Sequence, residues 1–303
     1  MPTVSVVIPA FRGGRYLREA VASVKAQSLE DWELTVVSDG CEEDLSVLED
    51  GDTRIRVVRQ RNRGECVARN VGVRFSTSDL VAFLDEDDRM LPDRLTAQVE
   101  TMRDETIGLC HTQFRVIDSD GVSMAGGESN DAQYADFLRG EGAILISSTM
   151  VRRVLVEEVG GFDSTLKLGG DLEFVYRMAR ESRLGFIPDV LAEYRRHDSN
   201  MWGGGTPKTY GELTAILTKH LWWAEWAGNA QNIRDVRVGL AKARRTDSAS
   251  AMLQARDARS RHDYPEVVKA LGRSIALSPT VALRDVVGNR RMVSAVLGRT
   301  RDE

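Results

Sequence analysis

The chain has 303 residues, 42% of them apolar and 29% charged, enough to bury the core of one large domain with an appendage, or of two domains. No apolar stretch approaches the ~20 residues that cross a bilayer. The net charge of −5 is uneven: from Lys208 onward 17 Lys and Arg face 10 Asp and Glu, leaving 24 against 36 before it. So acidic a first part is unsuited to gripping nucleic acid by its phosphates.

The first residues, MPTVSVVIPAF, hold no basic leader and no small-residue cleavage site, so no export signal is expected. Cys41, Cys66 and Cys110 have no CxxC spacing and leave one thiol unpaired in any disulfide scheme, as reduced thiols in the cytoplasm would. The expected location is cytoplasmic. For the basic tail a solvated helical face is the ordinary reading; a homodimer contact, or a peripheral contact at the inner face of the membrane, is the alternative.

VSVVIP (Val4–Pro9) is a continuous apolar run, the pattern of a strand covered on both faces. Leu17, Ala20, Val21 and Val24 then recur at helical spacing. ELTVVSDG and RIRVVRQ read as second and third strands, GECVARNVGVRF as a helix and DLVAFL as a fourth strand. Strands alternating with helices of this length predict an α/β fold with a parallel sheet. LPDRLTAQVETM opens a further helix on Pro92 and Asp93. IGLCHTQFRVIDSDG predicts a strand entering a turn, LISSTMVRRVLVEEVGGFD a strand and a short helix, and DLEFVYRMARES an amphipathic helix. YRRHDSNMWGGGTP is a glycine-rich loop. Beyond it the texture is all helical, and ASAMLQARDARSRHDYPEVVKALGRSIALSP has the spacing of two packed helices closed by Pro279, similar in length to one tetratricopeptide-type repeat of ~34 residues. A helical cover on the main domain is the simpler reading of it than a partner-binding platform.

In parallel sheets ligands gather at the carboxyl ends of the strands. Here those ends read Pro9-Ala10-Phe11, Ser38-Asp39-Gly40 and Asp85-Glu86-Asp87-Asp88. One or two acids would serve as turn or capping residues before Pro92, but four directly after a buried strand repel one another. Carboxylates are the oxygen ligands that magnesium and manganese prefer, with substrate phosphates and water completing the shell. The four acids therefore suggest a divalent cation holding a phosphorylated substrate.

Five segments carry a resemblance: VSVVIPAFRGGRYLREAVASVKAQSLEDWELTVVSDG, NRGECVARNVG, VAFLDEDDRMLPDRL, GGFDSTLKLGGDLEFVYRMA and YRRHDSN. In this order, over roughly residues 3–200, the chain resembles a family 2 glycosyltransferase of the GT-A fold. The resemblance implies a mainly parallel nucleotide-binding sheet flanked by helices, with a helical C-terminal extension. Residues 1–205 would form the transferase domain (1–104 the nucleotide-sugar half, 105–205 the acceptor half and lid loop). Residues 206–303 would form a helical region with one hairpin near 246–279.

The resemblance also implies roles. LDEDD is similar to the family's DxD motif, with Asp87 on a manganese or magnesium ion and Asp85 on the ribose or, through water, the metal; Asp88 would assist. Asp39 matches the acid that accepts from the base, with Pro9 and Phe11 lining the base pocket, and Asn62, Gly64 and Arg69 match the segment crossing the nucleotide. Asp171 matches the general base of inverting members, taking the proton of the attacking hydroxyl. His197 corresponds to a loop histidine that completes the metal shell, and Arg195 and Arg196 supply cations for the diphosphate within a glycine-rich lid. The implied reaction moves a sugar from a nucleotide diphosphate sugar, UDP being the expected carrier, to a hydroxyl of a glycan, lipid-linked or natural-product acceptor. The chain departs from the family at Ser38-Asp39, usually Asp-Asp, and at Gly170-Asp171, usually Glu-Asp.

Two other readings share parts of this pattern: a sugar nucleotidyltransferase, for which AFRGGRY is a poor triphosphate loop, and a degenerate nucleotide-sugar-binding or scaffolding protein, against which Asp39, Asp85, Asp87 and Asp171 argue. A dehalogenase-type phosphatase would place its acids after the first strand rather than the fourth. The sequence identifies neither the sugar, nor the acceptor.

Overall fold

The computed structural model describes residues 1–49, 51–166, 169–197 and 207–278. These fall into two compact units, Met1–Phe137 with the residues from Glu141 to 197, and Leu138–Gly140 with the helices that start at Pro207. The domain boundary expected near residue 205 lies among residues outside the described set.

In the first unit the chain runs β1 (Val4–Ala10), α1 (Gly14–Lys25), β2 (Trp32–Asp39), β3 (Ile55–Gln60), α2 (Glu65–Phe75), β4 (Leu80–Phe83), β5 (Arg89–Met90), α3 (Arg94–Thr101), β6 (Ile107–Ile117), β7 (Ser123–Met124), α4 (Tyr134–Leu138, its last residue in the second unit), β8 (Thr149–Arg152), α5 (Arg153–Glu158), α6 (Gly170–Glu181) and β9 (Arg183–Arg195). Among the described residues the strands form one sheet in the order β3-β2-β1-β4-β8-β6-β9-β5, with β7 on β6. β3, β2, β1 and β4 are parallel, as the alternation of strands and helices predicts. Beyond β4 the sheet is mixed: β8 is antiparallel to β4 and β6, β9 is parallel to β6, and β5 is antiparallel to β9.

The apolar run of β1 is buried along its whole length. Val6 and Ile8 join Leu17, Val21 and Val24 of α1 in the core on one face. On the other face α2 lies close: a Cβ at Gly72 would collide with the side chain of Val7. This two-sided cover fixes β1 and β4 at the centre, so that Phe11, Asp39 and the four acids all leave the sheet at one edge.

The sequence carries no clear strand signal over β9. Its burial alternates only in part, and its register against β6 shifts at Thr112/Gln113 and Gln113/Phe114, which blurs the period-2 signal that marks a strand.

In the second unit α7 (Pro207–Trp226), α8 (Ala230–Ser260) and α9 (Tyr264–Leu277) follow one another. The Asn229 side chain caps α8 and that of Asp263 caps α9. Met252, Ala255, Ala258, Val267, Ala270 and Leu271 form the core between α8 and α9. This pair overlaps the hairpin expected near 246–279, and α8 begins well before it. No described helix is long and apolar enough to cross a membrane.

Candidate functional site

Each of the four acids after β4 finds its own partner. The segment turns tightly, with the Asp88 amide donating to the Asp85 carbonyl at 3.2 Å, and the turn sends the side chains apart. Asp85 accepts from Arg69 Nη2 at 2.6 Å. Glu86 accepts from the backbone amides of Phe11, Arg12 and Gly13 at 3.0–3.2 Å. Asp87 meets His197 Nε2 at 3.0 Å, and Asp88 accepts from the Arg195 amide at 2.8 Å. Asp88 is fully buried, so its expected role as a helper is corrected: it fastens β9 beneath the turn. Burial, with Asp87 and Asp85 beside it, pushes the Asp88 carboxyl well above its ordinary range. Burial and Asp85 raise Asp87 against the opposing pull of His197.

On the nucleotide side, Asp39 ends β2 almost fully buried. It accepts from Gln60 Nε2 (2.7 Å) and from the amides of Arg63 (2.7 Å) and Gly64 (2.8 Å). A carboxylate has about four acceptor positions; here one takes Gln60 at the end of β3 and two hold amides of the loop between β3 and α2. Gly64, at φ 90, is in a conformation that favours glycine, and Asn62 packs against Gly40. Phe11 is half exposed at the end of β1, whereas Pro9 is buried within the strand.

Arg69 is buried at the centre of a carboxylate group drawn from three elements. Besides Asp85, its Nη1 lies 3.5 Å from Glu65 Oε1, and its guanidinium sits 5.4 Å from the Phe162 ring centroid. Although burial opposes its charge, Asp85, Glu65 and Asp171 raise its proton affinity above the ordinary value. Glu65, at the start of α2, is itself raised: Arg69 pulls it down, but burial and the charges of Asp85 and Asp171 prevail. Sequence reasoning missed Glu65, although its position four residues before Arg69 is the spacing of a helical ion pair.

Asp171 lies in the first turn of α6, whose N-cap is Gly169 with no side-chain cap bond. Its Oδ1 accepts from the first-turn amide of Leu172 at 2.8 Å, while the N-cap position itself is Gly169. Two contacts tie the start of α6 to α2, the first through Phe162, whose ring stacks on Phe174 of α6 with centroids 4.0 Å apart. Asn70 exchanges a pair of hydrogen bonds with the Phe162 backbone, both 2.8 Å, and a Cβ at Gly170 would run into the Cys66 sulfur.

The Arg195 expectation is corrected. Arg195 is the last residue of β9, with no exposed surface, and donates to the carbonyls of Asp87 (2.9 Å), Asp118 and Ser119 and to Glu19. Its cation is spent inside the fold. Arg196 is exposed just beyond, its amide on the Ile117 carbonyl at 2.8 Å. His197 stacks on Tyr16 with centroids 5.0 Å apart. The rest of the lid reading, Asp198 to Gly205, lies outside the described residues.

Among the described residues no three His, Cys, Asp or Glu side chains converge to hold an ion by themselves. The donor set still fits a cation that shares its shell with substrate phosphate. Asp87 and His197 bring an oxygen and a ring nitrogen together at 3.0 Å.

Residues 5–159, just over half of the chain, match the family described as glycosyl transferase family 2. A Bacillus subtilis protein, TuaG, named for teichuronic acid biosynthesis as a glycosyltransferase, is 34% identical over 128 residues, covering 41% of this chain and 51% of that protein. An uncharacterized glycosyltransferase of Rickettsia bellii is 34% identical over 121 residues, 39% of this chain and 18% of that protein. The chain thus spans well under two thirds of these curated relatives. Among solved structures, S. aureus TarS 1-349 in complex with UDP-GlcNAc aligns with a TM-score of 0.69 at 16% identity, covering 99% of this chain and 93% of that one. At that identity the likeness shows the GT-A fold.

Proposed function

This chain belongs to glycosyl transferase family 2, and on that premise we propose that it is a metal-dependent, inverting transferase that takes a sugar from UDP, or a like nucleoside diphosphate, to a hydroxyl on a glycan, lipid-linked or natural-product acceptor. The observation that carries this reading is the pair of carboxylates at the end of β4. Asp85 is tied through Arg69 to α2, and Asp87 faces His197 from the chain after β9.

In this reading Phe11 and Asp39 flank the base, with the remaining acceptor position of Asp39 directed to an N–H of the base. Asp85 takes a ribose hydroxyl. Asp87 and His197 would hold manganese or magnesium, which when bound offsets charge gathering on the departing diphosphate. Arg196 supplies a further cation at the same end. Asp171 takes the proton of the acceptor hydroxyl as its oxygen bonds to the anomeric carbon. The bond from that carbon to the diphosphate oxygen breaks, and its electron pair leaves with the nucleoside diphosphate. Because base and leaving group lie on opposite faces of the sugar, the configuration inverts.

The test is release of nucleoside diphosphate from a panel of nucleotide sugars, with and without manganese. Release that needs the cation and disappears in Asp87→Asn supports the reading. Binding of a nucleotide sugar with no release under any condition, over a range of acceptors, would instead favour a non-enzymatic binding protein.

A further inference from the structure

The second unit presents a surface that the transferase reading leaves without a role. α7 buries Ile216, Leu217, His220 and Ala224. On its opposite side Trp222 and Trp226, four residues apart and so on one face, are 63% and 73% exposed. A tryptophan carries one of the largest apolar surfaces of any side chain, and its indole N–H suits a boundary that is apolar on one side and wet on the other.

The charge beside these rings is mostly positive, the exposed Glu225 between them being paired with Arg237. The exposed side of α8 carries Arg234, Arg237, Val238, Ala241 and Arg245 at spacings that keep them on one stripe, with Arg244 and Lys242 alongside. Between Ala230 and Arg256 the only acids are Asp235 and Asp247. Both are buried in ion pairs, Asp235 with Arg139 at 3.5 Å and Asp247 with Arg273 at 2.7 Å. Along this stretch the acids are thus neutralised inside the unit while the cations face out; the exposed Asp257 lies beyond it and pairs with Arg261 at 3.0 Å. Arg237 lies 3.8 Å from Glu225 of α7, so the cationic stripe and the face of α7 next to the tryptophans adjoin.

From these two features we infer that α7 and α8 form a docking face for an anionic lipid bilayer, with Trp222 and Trp226 entering the headgroup region and Arg234, Arg237, Arg244 and Arg245 lying over lipid phosphates. Exposed indoles beside arginines are what an interfacial helix needs: apolar area to bury and positive charge to concentrate it at the surface. A second copy of the same face would bring like charges together. A soluble acidic polymer would satisfy the arginines but leave no apolar medium for the indoles. The inference goes beyond the proposed reaction and does not depend on it, since binding to a bilayer needs neither donor nor acceptor.

The full chain is tested by co-sedimentation with vesicles of phosphatidylcholine alone and of phosphatidylcholine mixed with phosphatidylglycerol, at low and high salt. The expected result is binding only to the anionic vesicles, weakened by salt, and at least about tenfold weaker in Trp222→Ser/Trp226→Ser. Arg234→Gln/Arg237→Gln/Arg245→Gln should lose most of the salt-sensitive part. Both variants should keep the helical content of the parent and its affinity for UDP. Should the serine variant fail to fold, quenching of wild-type tryptophan fluorescence by brominated lipid gives the same answer. Equal binding to neutral and anionic vesicles, no quenching, or binding of a soluble acidic polysaccharide without binding of vesicles would overturn the inference.

Discussion

Asp87 and His197 meet at 3.0 Å although 110 residues separate them. The pairing of Arg89 with Glu193 and of Met90 with Ala192 makes this possible, because it lays the end of β9 against the turn that holds the acids. Buried Asp88 and Arg195 lock that junction from below. His197 leaves it poised over Asp87, with Tyr16 stacked on its ring.

From this geometry Asp87→Asn is expected to reduce turnover by ~10²–10³-fold, the scale of losing a metal's charge stabilisation, and to weaken UDP binding only when manganese is present. His197→Gln should show the same pattern more mildly. Calorimetric titration of UDP with and without manganese checks both. Equal loss of affinity in the two conditions would mean that Asp87 acts on the nucleotide without a cation.

Glu86 holds three successive amides of the loop after β1, and through them the half-exposed ring of Phe11. Glu86→Ala should raise KM for the donor about fivefold, equivalent to ~1 kcal/mol of lost hydrogen bonding, with kcat little changed. Glu86→Gln keeps a carbonyl oxygen for those amides and should restore much of the affinity. Initial rates over a range of donor concentration separate the two constants.

Gly170 and Cys66 share too little space for a side chain at position 170. Gly170→Ala should push the start of α6 away from α2, cost ~1–3 kcal/mol of stability as overpacking does, and lower kcat by displacing Asp171. Adding Cys66→Ala makes room for the new methyl. The double variant should recover stability and rate beyond the sum of the single effects, as read by denaturant unfolding and by turnover.

His111 is buried in β6 with neither ring nitrogen hydrogen-bonded, its ring tilted over Phe186. Burial lowers its pKa to about 4, against an ordinary ~6.5 for the unfolded chain. A depressed folded-state value means that the neutral ring's contribution is fully present above pH ~6.5 and is lost as pH falls through about 4, up to ~3 kcal/mol in all. The raised carboxyls of Glu86, Asp87 and Asp88 act with the opposite sign, since they take up protons sooner in the folded state. The comparison is therefore with His111→Phe: its stability should fall less than the parent's between pH 7.5 and 4 by about 3 kcal/mol in urea unfolding. Parallel pH curves would contradict the assignment.

The parallel half of the sheet was legible because β1 and β4 are largely apolar runs, β2 brings Val36-Val37 to a polar end at Ser38-Asp39, and α1 buries the four positions that its spacing marks. The second half was harder to read. β9 carries Pro188 and a shifted register, and β5 has only two residues. Without a strand signal for β9, Arg195 reads as a loop residue: in YRRHDSN two adjacent arginines look alike, yet the strand buries the first and the second lies exposed just beyond it. In the same way the four acids look equivalent in sequence. Only the turn assigns Glu86 and Asp88 to holding backbone while Asp85 and Asp87 remain at the strand ends with Arg69 and His197. Glu65 and Asp171 come near each other only through the packing of α2 against the start of α6, which no local pattern encodes.

The most direct test of the account is a comparison of Asp171→Asn with the parent protein for sugar transfer and for UDP affinity in manganese. Asn retains the size of Asp and can still accept from the Leu172 amide, and Gly169, not Asp171, caps the helix, so the fold should be undisturbed. A base removed from the reacting centre should lower kcat by ~10²–10⁴-fold while the dissociation constant of UDP stays within about twofold of the parent's. A variant that transfers sugar at the parent's rate, with UDP binding intact, would contradict the inverting mechanism.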